Sequence, residues 1–149
     1  NYGARHGERV RQTFRSGAVM ATLLMVALAT LCHFAAGPLI AFFSSDPEVI
    51  AVGADYLRIC AWNFIASGVI FVSSSMFQAM GNTVPPLITS FGRIFLVSVP
   101  VVILSRMPGF DLRWIWYLSA GSIWIHLAAN LFLLQREFRQ RLSGSPLPA

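Results

Sequence analysis

The sequence predicts an all-α fold, a polytopic transmembrane bundle of four membrane-spanning helices. Three observations lead there. Hydrophobic residues make up 56% of the 149 positions and charged residues only 11%, against roughly 25% charged in an ordinary soluble domain. Residues 16–45, 59–92 and 114–135 carry no Asp, Glu, Lys or Arg at all, and a helix needs about 20 apolar residues to cross a bilayer. Turn signals rich in Pro and Gly divide the apolar sequence into four lengths that fit one crossing each.

Residues 1–16 form a polar, basic loop in which Arg5, Arg9, Arg11 and Arg15 recur at spacings of two to four. Such a stretch suits a solvated juxtamembrane segment near anionic headgroups. The first span covers about 17–36, GAVMATLLMVALATLCHFAA. Gly37-Pro38 kinks or breaks it, because proline lacks the backbone donor and clashes one turn back. Ser45-Asp46-Pro47-Glu48 then starts a new helix. Ser or Asp caps it, proline suits the first helical position, and Glu48 faces the positive end of the dipole. No breaker separates Pro47 from the second span, about 57–79, so one continuous helix is expected, with its first turns outside the hydrocarbon.

The second span ends at Gly81-Asn82, ahead of Pro85-Pro86. The third covers about 87–106 and contains Arg93 and Pro100; Met107-Pro108-Gly109 turns the chain into the fourth, about 114–134. That last helix is expected to run on into water as QREFRQRL, with 143–149 a disordered tail. Four crossings bring both termini to one side. Arg5, Arg9, Arg11, Arg15, Arg136, Arg139 and Arg141 lie there, against Arg58, Arg106 and Arg113 on the other side. The excess places both termini in the cytoplasm.

The basic balance, formal charge +5 and all of it arginine, does not describe a nucleic-acid surface, since the arginines flank apolar runs instead of lining one solvated face. Cys32 and Cys60 have no paired spacing and read as buried thiols. No metal cluster, phosphate loop or serine elbow is present in the sequence, so neither an enzyme nor a cofactor is expected. The chain opens on Asn1 and is expected to be a piece of a longer protein or a processed one.

Candidate functional residues are the polar ones inside the spans. Asn63, Ser67 and Ser74 recur at helical spacing on the second span, and Gln78 is a further polar candidate on it. Such a face either packs on another helix or lines a wet substrate pathway. Arg93 is the one charge well inside a span; it snorkels, pairs structurally or serves transport. His33 and His126 are either proton relays or neutral interhelical hydrogen-bonders, and Asn130 has the same ambiguity as the second span's polar residues.

Three stretches carry a family resemblance. NYGARHGERVRQ resembles the cytoplasmic loop of the MATE (multidrug and toxic compound extrusion) transporters. IAFFSSDPEVIAVGADYLRI is similar to their outer connection, and MFQAMGNTVPPLITSFGRI to the loop where a Phe-Gln-Ala-x-Gly turn leads to a helix carrying an arginine. Their order, over residues 1–141, matches the last third of a MATE chain. The resemblance implies helices nine to twelve of a twelve-helix protein with two six-helix lobes, of which this chain supplies part of one lobe. It implies a secondary antiporter that exports drugs or organic cations by alternating access, coupled to Na⁺ or H⁺ in the full-length protein. Its implied partners are membrane lipids, the remaining helices and the small-molecule cargo, and its implied location is the bacterial inner (plasma) membrane. A lipid-linked oligosaccharide flippase of the same superfamily and a non-transporting membrane scaffold are the alternatives. One departure stands out: several family members place a coupling carboxylate in the helix corresponding to the second span, which here has no acid beyond Asp55.

Overall fold

The computed structural model describes residues 2–4 and 6–142. Six helices follow one another: α1 (Gly7–Phe34), α2 (Ala36–Ala41), α3 (Pro47–Cys60), α4 (Asn63–Ala79), α5 (Val84–Leu104) and α6 (Leu112–Leu142). The described residues contain no strand. α1, α5 and α6 are each long and apolar enough to cross a membrane, and α3 with α4, taken together as one bent pair, meets the same test.

α1 starts at Gly7, well before the apolar run, so its first turns carry Glu8, Arg9, Arg11 and Arg15 in helical order. Its 28 residues reach about 42 Å at 1.5 Å each, beyond a core of roughly 30 Å. The helix stops at Phe34 because Pro38 has no N–H to give the Phe34 carbonyl. Ala35 breaks the path, and the six-residue α2 continues in a new direction. Asp46 caps α3 as expected: its Oδ1 accepts from the Glu48 N–H at 2.9 Å, with Pro47 in the first turn.

The expected uninterrupted helix from Pro47 through the second span is instead broken at Ala61-Trp62, where the axis bends by 48°. Neither residue is proline or glycine. The ladder tightens there, with the Phe64 N–H reaching the Ala61 carbonyl three residues back, which turns the axis as a short 3₁₀ step does. At the far end of α4 the Asn82 N–H bonds the Phe77 carbonyl and the Gly81 N–H bonds that of Gln78. Gly81 takes φ +72°. This double closure satisfies the last carbonyls of α4 and needs the left-handed residue that glycine supplies.

The start of α1 and the end of α6 meet. A Cβ on Gly7 would lie 3.2 Å from that of Leu142, and the Phe14 and Phe138 rings meet edge to face at 5.8 Å. The same end holds the main buried cluster, Val10, Phe77, Met80, Leu134 and Phe138. At the opposite end an Arg113 Nη2 to Asp55 Oδ2 contact of 2.6 Å ties α6 to α3, and Tyr56 packs on Trp116 at 5.5 Å. α1 and α4 approach closely through small residues. Gly68 faces Ala21 and Met25, and Gly17 faces Val72, as helices packed in lipid do. Much of the remaining apolar surface points outward; Ile88, Phe91, Ile94 and Phe95 on α5 are all exposed. In an integral membrane protein those faces meet lipid tails or further helices.

Candidate functional site

The candidate residues fall into three separate places. On α4, Asn63, Ser67, Ser74 and Gln78 share one stripe. Its other side is taken by neighbours: Gly68 meets α1, while Ala66, Ser73 and Phe77 are buried. Phe77 is in the cluster that includes Leu134 and Phe138 of α6. Ser67 and Gln78 are exposed, and Asn63 and Ser74 are half-buried. Asn63 Oδ1, at the bend, is shielded yet has no hydrogen-bond partner among the described residues. Other α4 hydroxyls are tied to their own backbone, Ser73 to the Val69 carbonyl at 2.8 Å and Ser75 to that of Phe71 at 3.0 Å.

Where α5 packs on α6, His126 of α6 meets Thr89 of α5, one turn before Arg93. Thr89 organises this cluster. Its hydroxyl donates to the Pro86 carbonyl at 3.1 Å. Oγ1 also lies 3.2 Å from His126 Nε2 and accepts from Asn130 Nδ2 at 3.4 Å. His126 and Asn130 are 8% and 1% exposed, while Asn130 Oδ1 and Arg93 Nε are shielded without a partner among the described residues.

His33 lies elsewhere, in the last turn of α1, with Nδ1 3.4 Å from the Arg58 carbonyl and its ring 5.9 Å from that of Trp62. The structure thus groups His126 with Asn130 and Thr89, one turn from Arg93 on α5, and places His33 elsewhere.

Two features escaped the sequence reading. Thr89 is one; its position four residues before Arg93 on one helix face was the available signal. The other is a polar clasp at the arginine-rich end. Glu137, 8% exposed, accepts from Asn82 Nδ2 at 2.9 Å and from Arg141 Nε at 2.5 Å. Arg141 also donates to the Met80 carbonyl at 2.8 Å and to the Tyr2 hydroxyl at 3.3 Å. The Tyr2 bond, with Glu137 beside it, holds the guanidinium more firmly protonated than usual. The clasp fastens the α4–α5 turn to the end of α6. Glu137 four residues before Arg141 was its sequence signal. Among the described residues no group of His, Cys, Asp and Glu is arranged to hold a metal, and both cysteines are free.

Comparison with known proteins identifies the family of these helices. The sequence signature of MatE matches residues 1–104. The chain belongs to the MatE family. Over 99 residues it is 26% identical to a protein of Thermotoga maritima described as a probable multidrug resistance protein NorM; the alignment covers 66% of this chain and 21% of that protein. The chain thus matches about a fifth of the relative's length. No solved structure matches it significantly. The MatE match extends from the first loop through α5 and includes both the α4 stripe and Arg93.

Proposed function

We propose that this MatE chain forms part of a secondary transporter that exports drugs or organic cations by alternating access, driven by inward Na⁺ or H⁺. The α4 stripe is the observation that carries the proposal. Asn63, Ser67, Ser74 and Gln78 run along one face of the helix, with Ser67 and Gln78 exposed and Asn63 and Ser74 half-buried. Hydroxyls and amides facing hydrocarbon are unfavourable, so such a face belongs beside water or another polar surface. The stripe has no cationic side chain, and Arg93 is on α5 instead, which favours a cationic cargo over the pyrophosphate of a lipid-linked sugar. A packed scaffold would cover the stripe.

Ion coupling falls outside α4, which has no carboxylate. Glu137 is buried but already bonded to Asn82 and Arg141. Both termini lie in the cytoplasm of a bacterial inner membrane, on the arginine count above.

The test is ethidium accumulation in pump-deficient cells expressing the full-length protein. Accumulation is expected to fall and to recover when the Na⁺ or H⁺ gradient is collapsed. Unchanged accumulation of ethidium and a panel of other organic cations, with the protein present in the membrane, would overturn the proposal.

A further inference from the structure

We infer that the outward face at the end of α6 is a binding site for one anionic phospholipid, formed by Phe132, Gln135, Arg136 and Arg139. These four residues line a groove of about 160 Å³. At roughly 30 Å³ per water, that is space for about five waters, the scale of a phosphodiester group. They recur at i, i+3, i+4 and i+7, so they share one face of the helix. Leu134, Glu137 and Phe138, which hold α6 to its neighbours, are buried on the other face. The lipid-binding face is thus distinct from the packing face.

The chemistry is graded along the helix axis. Phe132 is 66% exposed and lies inside the apolar run that ends at 135. Arg139 is seven residues further on, about 10 Å along the axis. A lipid in the adjacent leaflet meets these groups in the same order, acyl chain against the ring and phosphate against the two guanidinium groups. Gln135 adds an amide donor between them. Neither arginine has an ion-pair partner among the described residues, whereas Arg141, on the packing face, is bound to Glu137. Planar guanidinium groups match phosphate oxygens in pairs, and a lone phosphodiester supplies the missing negative charge. A soluble phosphate has no use for Phe132, so a membrane lipid is the occupant. The inference is independent of whether the chain exports drugs.

Native mass spectrometry of the purified full-length protein tests it, with phosphatidylglycerol and phosphatidylcholine of matched chains as probes. Phosphatidylglycerol adducts are expected on the unaltered protein. Arg136→Gln/Arg139→Gln should weaken them by about twenty-five-fold, since each arginine near an anionic headgroup is worth roughly a factor of five. Phosphatidylcholine binding should not change, and glycerol 3-phosphate at equal concentration should displace nothing. Arg136→Lys/Arg139→Lys should keep the preference for phosphatidylglycerol, which separates lost charge from lost folding. The matched control is Arg9→Gln/Arg11→Gln, which removes two charges from the same end of the bundle on α1. An equal loss in that control would mean a diffuse basic field and would overturn the site. So would undiminished phosphatidylglycerol binding in the Arg136→Gln/Arg139→Gln protein.

Discussion

Phe77 is fully buried where α1, α4 and α6 converge, among Val10, Met80, Leu134 and Phe138. Phe77→Ala removes the ring from that junction. Loss of a buried Phe costs about 3–5 kcal/mol in soluble proteins, part of it the transfer of apolar atoms out of water. In a micelle the transfer part shrinks, but the cavity part stays. A void of roughly 100 Å³ at about 24 cal/mol per Å³ costs about 2.4 kcal/mol. The expected destabilisation is therefore about 2–5 kcal/mol, or a fall in thermal midpoint of about 4–10 °C at roughly 2 °C per kcal/mol for a large chain. The assay is thermal unfolding of the detergent-solubilised full-length protein followed by tryptophan fluorescence. Phe77→Leu should show roughly half the effect. Phe95→Ala, on a ring that is 65% exposed on α5, should be almost silent, because lipid or detergent fills the place of the ring. If Phe77→Ala and Phe95→Ala shift the midpoint equally, the buried junction does not hold the bundle together.

Gly68→Ala places a Cβ 2.7 Å from Met25 Cγ, an overpacking cost of about 1–3 kcal/mol less up to about 1 for better helix propensity. Adding Met25→Ala should recover most of the lost thermal midpoint, and no recovery would refute the close α1–α4 approach. Asp55→Asn removes the partner of Arg113 and Arg58; these exposed pairs should contribute only about 0–1 kcal/mol, lost in high salt, as salt titration of the midpoint would show. Thr89→Val deletes the hydroxyl shared by Pro86, His126 and Asn130. It should cost about 1–3 kcal/mol by stranding buried polar groups, and an unchanged midpoint would mean that Thr89 does not organise them.

The helices were legible because lipid imposes length and apolarity on each crossing. The Asp46-Pro47 start and the Gly81 stop depend on local backbone chemistry, and both form as the residues imply. The bend at Ala61-Trp62 was hidden because no residue there forbids a straight helix. On either side of it α3 packs mainly on α2 and α4 on α1 and α6, a division that one-dimensional patterning does not carry. The α4 stripe was visible as periodicity, since Asn63, Ser67, Ser74 and Gln78 must share a face on any helix. Whether that face was covered depended on the neighbours of α4. The meeting of Thr89 with His126 depended likewise on the rotation of α5 against α6, and the grip of Glu137 on Asn82, 55 positions apart, on the fold as a whole.

The most direct measurement is thiol labelling along α4 in intact cells, using full-length protein with Cys32→Ala and Cys60→Ala as background. Ser67→Cys and Ser74→Cys should react with a water-soluble maleimide, at a rate that changes when transported cation is added. Ala66→Cys and Ser73→Cys, on the buried face, should not react. If Ser67→Cys and Ser74→Cys stay as unreactive as the buried pair under every condition, α4 does not line an aqueous pathway.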